Sequence, residues 1–501
     1  MYHCKIATTA QEFEEIARLN YETFVEEIPQ HPPNHERKLV DKFHEDNTYI
    51  VIYKQATLIG MLAFRDKRPF SIDGKIGEVE TYLPEHLCTK MCEVRLLAIR
   101  AQYRRGRVFL RLAQALYAYV LGQGYSACVI SGITTQKGLY RQIGFEQFAE
   151  RVGTAGAMYI PMVLTNERGQ QFYEQFQQKN LIFFPGPVQQ MKPLQYTHIS
   201  HRSATFEELK ARVYEKLCTL ADAENVALLQ GSGTLANDVM LQQLVNQYGQ
   251  TKGLICVNGE FGERLVKQAQ ALQLQFDVYE EPLGTPFQKE LLQQQLQQAA
   301  WCVVVHGETS SGMCNELAPF IEWRQKTGRT LAVDCISTFG ALPFSLKGVD
   351  IATATSGKAL GALAGMNFIF YKQAKPGGAR YSDLTQYAER TPFTLPAYLL
   401  HNVWTALEAY PQRYTLLEER LQTLLTLPLQ WLTAAPYATA VSFYTSANFV
   451  RDARLNGFEL HADSDYLQRL QMAQMSVIQP QFEADIRAFS EWLHVYPSNP
   501  S

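Results

Sequence analysis

The chain has 501 residues, with 46 Lys and Arg against 49 Asp and Glu for a net charge of -3, so it offers no bulk attraction to nucleic acid or an anionic membrane. That length exceeds one ordinary core and predicts at least two domains. Nine cysteines without paired spacing argue against a disulfide framework or a metal site, and neither a signal peptide nor a membrane-spanning apolar run is evident, so the expectation is a cytoplasmic protein that works on small molecules.

Along the chain, TYIVIYK at 48–54 and TLIGMLAF at 57–64 alternate as two strands joined by a short turn, and CEVRLLAI at 92–99 predicts a third. A basic turn containing Arg104, Arg105, Gly106 and Arg107 then leads into a helix from about Val108 to Leu121. Strand, basic turn and helix in that order form an anion-binding arrangement, suited to a pyrophosphate at the helix N-terminus. A strand at ACVISG follows, and GLYRQIGFEQF places Tyr140 on a helix that ends near Gly144. Residues 165–179 are polar and Gln-rich and read as a linker, dividing the chain into 1–164, 180–395 and a smaller region, 396–501.

Beyond the linker, VALLQ, GLICV, WCVVVH, TLAVD and DIATAT each end just before a polar or Gly-containing segment, with helical patterns between them, including 288–298. This rhythm predicts a mostly parallel sheet with ligand sites at the strand C-terminal ends. Three such ends carry chemistry: Gly231-Ser232-Gly233-Thr234 opens a helix, Asp334 closes TLAVD, and Lys358 follows DIATAT among small residues. A phosphate cradle at a helix N-terminus, a carboxylate and an amine are what pyridoxal phosphate requires for its phosphate, its ring nitrogen and its aldehyde.

Several motifs then coincide in order: FFPGPV at 183–188, HRSATF at 201–206, GSGT at 231–234, NGEFGER at 258–264, HGETSSG at 306–312, VDCISTFGALP at 333–343, SGKAL at 356–360 and TPFTLP at 391–396. On these, the region from about Asn180 to Leu493 resembles the class V aminotransferases of fold type I, in the subgroup of alanine-glyoxylate, serine-pyruvate and 2-aminoethylphosphonate-pyruvate transaminases. The resemblance implies a mostly parallel seven-stranded sheet and a small C-terminal α/β subdomain. It makes Lys358 the lysine that bonds pyridoxal phosphate and shuttles the proton, Asp334 the partner of the ring nitrogen, and Phe261 the aromatic plate against the ring. It gives Ser232, Gly233 and Thr234 to the phosphate with Ser356 nearby, Thr309 to the ring hydroxyl, and Thr391 to a neighbouring subunit's cofactor, hence a homodimer.

Residues 1–164 resemble the GNAT acyltransferase superfamily, a mixed α/β fold. The likeness rests on CEVRLLAIRAQYRRGRVFLRLAQALYAYV and GLYRQIGFEQF. It implies acyl-CoA as co-substrate, its pyrophosphate held at 104–107, and Tyr140 as proton donor to the leaving thiolate.

Two departures bear on function. The turn carries Tyr103 and Val108 where the superfamily has Gln or Arg and Gly or Ala. In LQRLQMAQM at 467–475, Gln471 stands where the transaminases place a carboxylate-clamping arginine, which leaves open whether Arg469, Arg202, Arg264 or none of them grips a substrate anion. The preferred expectation is a bifunctional enzyme that exchanges an amino group between an amino acid or small amine and a 2-oxo acid, and acylates an amine from acyl-CoA. Two alternatives stay open: another pyridoxal-phosphate reaction, or an active transaminase with a non-catalytic acyl-CoA-binding or interaction module.

Overall fold

A computed structural model describes residues 2–104, 107–120, 123–154, 157–176, 181–190, 199–388 and 393–496. By contacts the chain divides into two α/β units, one comprising Met1–Leu181, Asn448–Glu459 and Ala488–Pro500, the other Ile182–Ala447 and Leu460–Arg487.

In the first unit an eight-stranded sheet runs in the order Tyr2–Ile6, Thr48–Lys54, Thr57–Arg65, Met91–Ile99, Ala127–Ile133, Ala157–Thr165 and Glu146–Gln147, with Val152–Thr154 also paired to Ala157–Thr165. The strands expected at 48–54, 57–64, 92–99 and 127–132 are all present, and so is the helix, as Val108–Val120. All pairs are antiparallel except Met91–Ile99 with Ala127–Ile133, whose register runs only from Met91 opposite Ala127 to Glu93 opposite Val129. Leu96 adopts φ 54°, and the ladder to Thr57–Arg65 is irregular between Met61 and Ala63, so the strand bends where its parallel pairing stops.

Two features of this unit depart from the reading of the sequence. Within 165–179, Asn166–Phe176 is helical, and Gly169 and Phe172, three apart, give the polar segment a narrow side to bury. Asn448–Glu459, expected in the small C-terminal region, belongs to the first unit. There the Asn456 side chain accepts from the Cys4 N–H (2.9 Å) and donates to the Cys4 carbonyl (2.7 Å), continuing the sheet edge with an amide in place of a strand.

The second unit is built on a seven-stranded sheet ordered Asn225–Gln230, Met366–Tyr371, Ile351–Thr355, Thr330–Asp334, Trp301–Val305, Gly253–Val257 and Phe276–Glu280. Met366–Tyr371 is antiparallel to both neighbours, and the remaining pairs are parallel. Alternate side chains of the central strands enter two different cores. Cys256, Val304, Val333 and Ala354 face one, and Ile255, Val303, Ala332 and Ile351 face the other. Burial on both faces is why these strands read as unbroken apolar runs. The turns after Gln230, Val257, Val305, Asp334 and Thr355 therefore share one edge of the sheet. A two-stranded antiparallel pair, Val441–Tyr444 with Met472–Met475, belongs to the same unit.

Candidate functional site

At that edge Gly233, Thr234, Phe261, Thr309, Asp334 and Lys358 line one cavity of about 160 Å³, together with Asn237, Arg264 and Ser337. Helix Gly233–Tyr248 opens on it, capped by Ser232, whose hydroxyl accepts from the Leu235 N–H (3.4 Å). Its first-turn amides and positive dipole end meet the cavity at Gly233 and Thr234.

Asp334 is buried, and its carboxylate is fixed from two sides. The Ile336 N–H donates to Oδ1 (2.9 Å), and Asn237 Nδ2 donates to Oδ2 (2.7 Å). Asn237 is itself held by the Thr353 hydroxyl, which donates to its Oδ1 at 2.7 Å. Burial holds the Asp334 carboxyl above its ordinary range, opposed by those donors and by the charges of Arg264 and Lys358. Burial also pulls the Lys358 ammonium down to about 8, with Asp334 working in the other direction. Lys358 lies under Gly186 of the FFPGPV motif, where φ is 133° and an added Cβ would stand 2.9 Å from the Gly357 carbonyl and 3.3 Å from Lys358 Cδ.

Phe261 forms part of the cavity wall from the first turn of helix Glu260–Ala271, with the Arg264 guanidinium 4.7 Å from its ring centre. The buried Glu308 carboxylate anchors that turn by accepting from the N–H groups of Phe261 (3.3 Å) and Gly262 (3.1 Å). Behind two lining residues, the Tyr437 hydroxyl lies 2.8 Å from Ser337 Oγ and 3.4 Å from Thr309 Oγ1, and Ser337 donates to the Gly307 carbonyl (2.7 Å).

A second cavity, of about 490 Å³, lies in the first unit and contains Tyr140. It opens where Met91–Ile99 and Ala127–Ile133 separate, under helix Val108–Val120. The Tyr140 ring lies against Gly132, where a Cβ would come within 2.7 Å of it, so only glycine leaves the ring its place. Burial raises the Tyr140 phenol above its ordinary value, opposed by a backbone hydrogen bond at Ile133.

The family described as "Acetyltransferase (GNAT) domain" matches residues 19–114. The 2-aminoethylphosphonate–pyruvate transaminase of Pseudomonas fluorescens (strain Pf-5) is 30% identical over 246 residues, 44% of this chain and 66% of that protein. The enzyme of the same name from Pseudomonas entomophila is 31% identical over the same shares. Among solved structures, a subgroup IV aspartate aminotransferase from Thermus thermophilus aligns with a TM-score of 0.57 at 21% identity, covering 62% of this chain and 99% of its own. An alanine–glyoxylate aminotransferase from Nostoc sp. aligns at 0.56 and 19%, covering 64% and 95%. The chain joins a GNAT domain to one related to the class V aminotransferases. The fold of the latter is type I. The chain spans 66% of the length of the two curated transaminases.

Within the aminotransferase-related domain, the structure brings together Lys358, Asp334, Phe261, Thr309, Gly233 and Thr234, and leaves other expected residues outside the cavity lining. Ser232 caps the helix, and Ser356 directs its hydroxyl to the Leu363 carbonyl (2.5 Å), tying the lysine loop together. Arg469 pairs with Glu260, and Arg202 is exposed and also absent from the lining. Arg264 is the arginine that does line the cavity. Thr391 lies outside the described residues.

In the GNAT domain Arg104 is engaged by Glu27 and by the Ile99 carbonyl (2.7 Å), and Arg107 is exposed on the turn, while Arg105 and Gly106 lie outside the described residues. Asn237, Tyr437 and His461 were not singled out from the sequence. His461 feels the charge of Lys358, which helps burial lower its imidazole. Only Asn237 left a trace, as a polar residue among the buried positions Ala236, Val239 and Met240 of its helix.

Proposed function

We propose that the aminotransferase-related domain uses pyridoxal phosphate to exchange an amino group between an amino acid or small amine and a 2-oxo acid of the pyruvate or glyoxylate kind, and that the GNAT domain acylates an amine from acyl-CoA. The observation that carries the first part is the convergence of a half-buried amine, Lys358, and a buried, doubly anchored carboxylate, Asp334, in one small cavity beside a helix N-terminus.

These residues fit the cofactor. Gly233 and Thr234 would take its phosphate, Phe261 would wall its ring, Asp334 would face the ring nitrogen, and Lys358 would hold the aldehyde. When bound, the cofactor supplies an electron sink for the bond broken at the substrate carbon. Asn237 and the Ile336 N–H hold Asp334 in place and favour its charged form against burial, so that it would set a negative charge beside the ring nitrogen. With its ammonium drawn down to about 8, Lys358 has a substantial neutral fraction at mildly alkaline pH, as a group must have to take a proton from one substrate atom and return it to another. Arg264 is the cation placed to attract an anionic substrate group.

In the GNAT domain, a phenol raised by burial stays protonated at neutral pH, which suits Tyr140 to donate its proton to a leaving thiolate. The reading includes a cytoplasmic homodimer, following the family likeness at Thr391, and a product of one domain that serves the other as substrate.

The test is to incubate the protein with pyridoxal phosphate, 2-aminoethylphosphonate or another amino donor, and pyruvate or glyoxylate, and to quantify alanine or glycine. Formation that is lost in Lys358→Ala and retained in Tyr140→Phe is expected. Equal formation by Lys358→Ala would contradict the assignment.

A further inference from the structure

The cavity that holds Tyr140 is lined from both faces of its sheet. Side chains of strand Ala127–Ile133 alternate, so Ile130 and Gly132 face Tyr140, whereas Val129 shares a core with Ile72 and Ile76 on the other side and Ser131 bonds to Lys75 there. Lys75, on the short helix Asp73–Ile76, donates from Nζ to Ser131 Oγ (2.6 Å), and the same Nζ stands 3.6 Å from the Tyr159 ring centre. Lys75 and Tyr140 both line the cavity. Where the two strands part, an amine and a phenol therefore flank one space from opposite faces of the sheet.

The carboxylates nearest to Lys75 are committed elsewhere. Asp41 accepts from Arg95 (2.7 Å) and Asn47 (2.8 Å), and Glu93 accepts from the Ser71 hydroxyl (2.6 Å) and the Ile72 N–H (3.0 Å). Among the described residues Lys75 makes no ion pair, and its partners are a neutral hydroxyl and a ring. The charged and titratable groups facing it are Glu93 and Arg95 from strand Met91–Ile99, Lys42 and Tyr159, while His31, Asp41 and Tyr140 are the other ionisable groups of the cavity wall. Burial of its head draws the ammonium down to about 8, opposed by Glu93 and assisted by Arg95 and Lys42, although the residue as a whole is exposed and so open to an incoming molecule.

Resting on the acyl-transfer reading of the GNAT domain, we infer that Lys75 is its second catalytic residue, the base that takes a proton from the acceptor's ammonium on the face of the sheet opposite Tyr140. An ammonium has no lone pair, so it must lose a proton before its nitrogen attacks the thioester carbon. The nitrogen then forms the C–N bond, the C–S bond breaks with its electron pair on sulfur, and Tyr140 gives sulfur a proton. Net, one proton passes through Lys75 to water, and the nitrogen's second proton replaces the one that Tyr140 gave up. Base and acid on opposite faces keep the arriving amine apart from the leaving thiolate.

Release of CoA from acetyl-CoA by the full-length protein, with glycine, alanine and 2-aminoethylphosphonate as acceptors from about pH 6 to about pH 10, tests this. For each acceptor that reacts, kcat/KM is expected to rise through about pH 8, whatever that acceptor's own ammonium requires. Lys75→Met and Lys75→Arg should each lower kcat/KM by about 10²-fold or more at that pH and abolish the rise, with the calorimetric Kd for acetyl-CoA held within twofold. Arginine keeps the charge but cannot give up its proton, so wild-type rate and profile in Lys75→Arg would overturn the inference. A wild-type rise that tracks each acceptor's own ammonium would also overturn it, and decides the matter even if neither variant folds; acyl transfer would stand in both cases. No release above hydrolysis with any acceptor would overturn the acyl-transfer reading and the inference with it.

Discussion

The two cavities solve different problems. In the aminotransferase-related domain about 160 Å³ is enclosed by groups whose positions are fixed individually, Asp334 by Asn237 and a backbone amide, and the turn carrying Phe261 by Glu308. In the GNAT domain about 490 Å³ opens between two strands that stop pairing, and most of its wall is aliphatic or aromatic. The first arrangement suits chemistry that depends on where charge develops, because oriented buried dipoles need not reorganise during reaction. The second suits recognition by shape, with Tyr140 in its wall as a phenol raised by burial.

The contrast breaks most sharply at Lys358. Replacing it with alanine is expected to lower amino-group exchange by about 10²–10⁴-fold, the range attached to a positioned proton-transfer group, while leaving acyl-CoA binding unaltered, as paired kinetic and calorimetric measurements would reveal. Tyr140→Phe is the converse and smaller case, an expected fall of about 10²-fold in acyl transfer at neutral pH with exchange retained. Loss of both activities in either variant would mean that the sites are not separate.

The next effect is on stability. The Lys358 ammonium is lowered to about 8 in the folded chain from 10.5, so folding disfavours its charged form. That penalty is fully present below pH 8 and fades as pH rises from 8 towards 10.5, where the unfolded lysine also becomes neutral. Cofactor-free Lys358→Met should therefore be more stable than the parent by about 1–3 kcal/mol at pH 7, with the gap closing by pH 10.5, measured by urea unfolding across pH. Asn237→Leu removes a donor from Asp334 and leaves the Thr353 hydroxyl unpaired, for an expected loss of about 1–2 kcal/mol together with weaker cofactor retention, read from unfolding and cofactor titration. The smallest change belongs to Arg469→Ala. Its exposed pair with Glu260 contributes under about 1 kcal/mol, and unless Arg469 leaves that partner to bind substrate, the donor KM should hold within twofold.

The sequence exposed the parts of the fold that repeat a period and the parts of the site that close a strand. Unbroken apolar runs located the parallel strands, and Asp334 was visible because it closes one and Lys358 because it closely follows another. Strand direction leaves no such mark, so nothing in MNFIFY distinguishes the antiparallel strand Met366–Tyr371 from its neighbours. Asn237, Tyr437 and His461 reach the site from elements far apart in the chain, and their roles exist only once the sheet edge has assembled. Gln-rich composition concealed helix Asn166–Phe176, whose buried side is narrow, and the bond from Asn456 to Cys4 spans nearly the whole sequence.

The most direct test of the central claim is the visible absorbance of the purified protein with pyridoxal phosphate, beside Lys358→Ala, as amino donors and then 2-oxo acids are added. The account predicts a protein-bound cofactor band that depends on Lys358, is bleached by a donor and is restored by an oxo acid. A spectrum identical in the two proteins and indifferent to donors would contradict it.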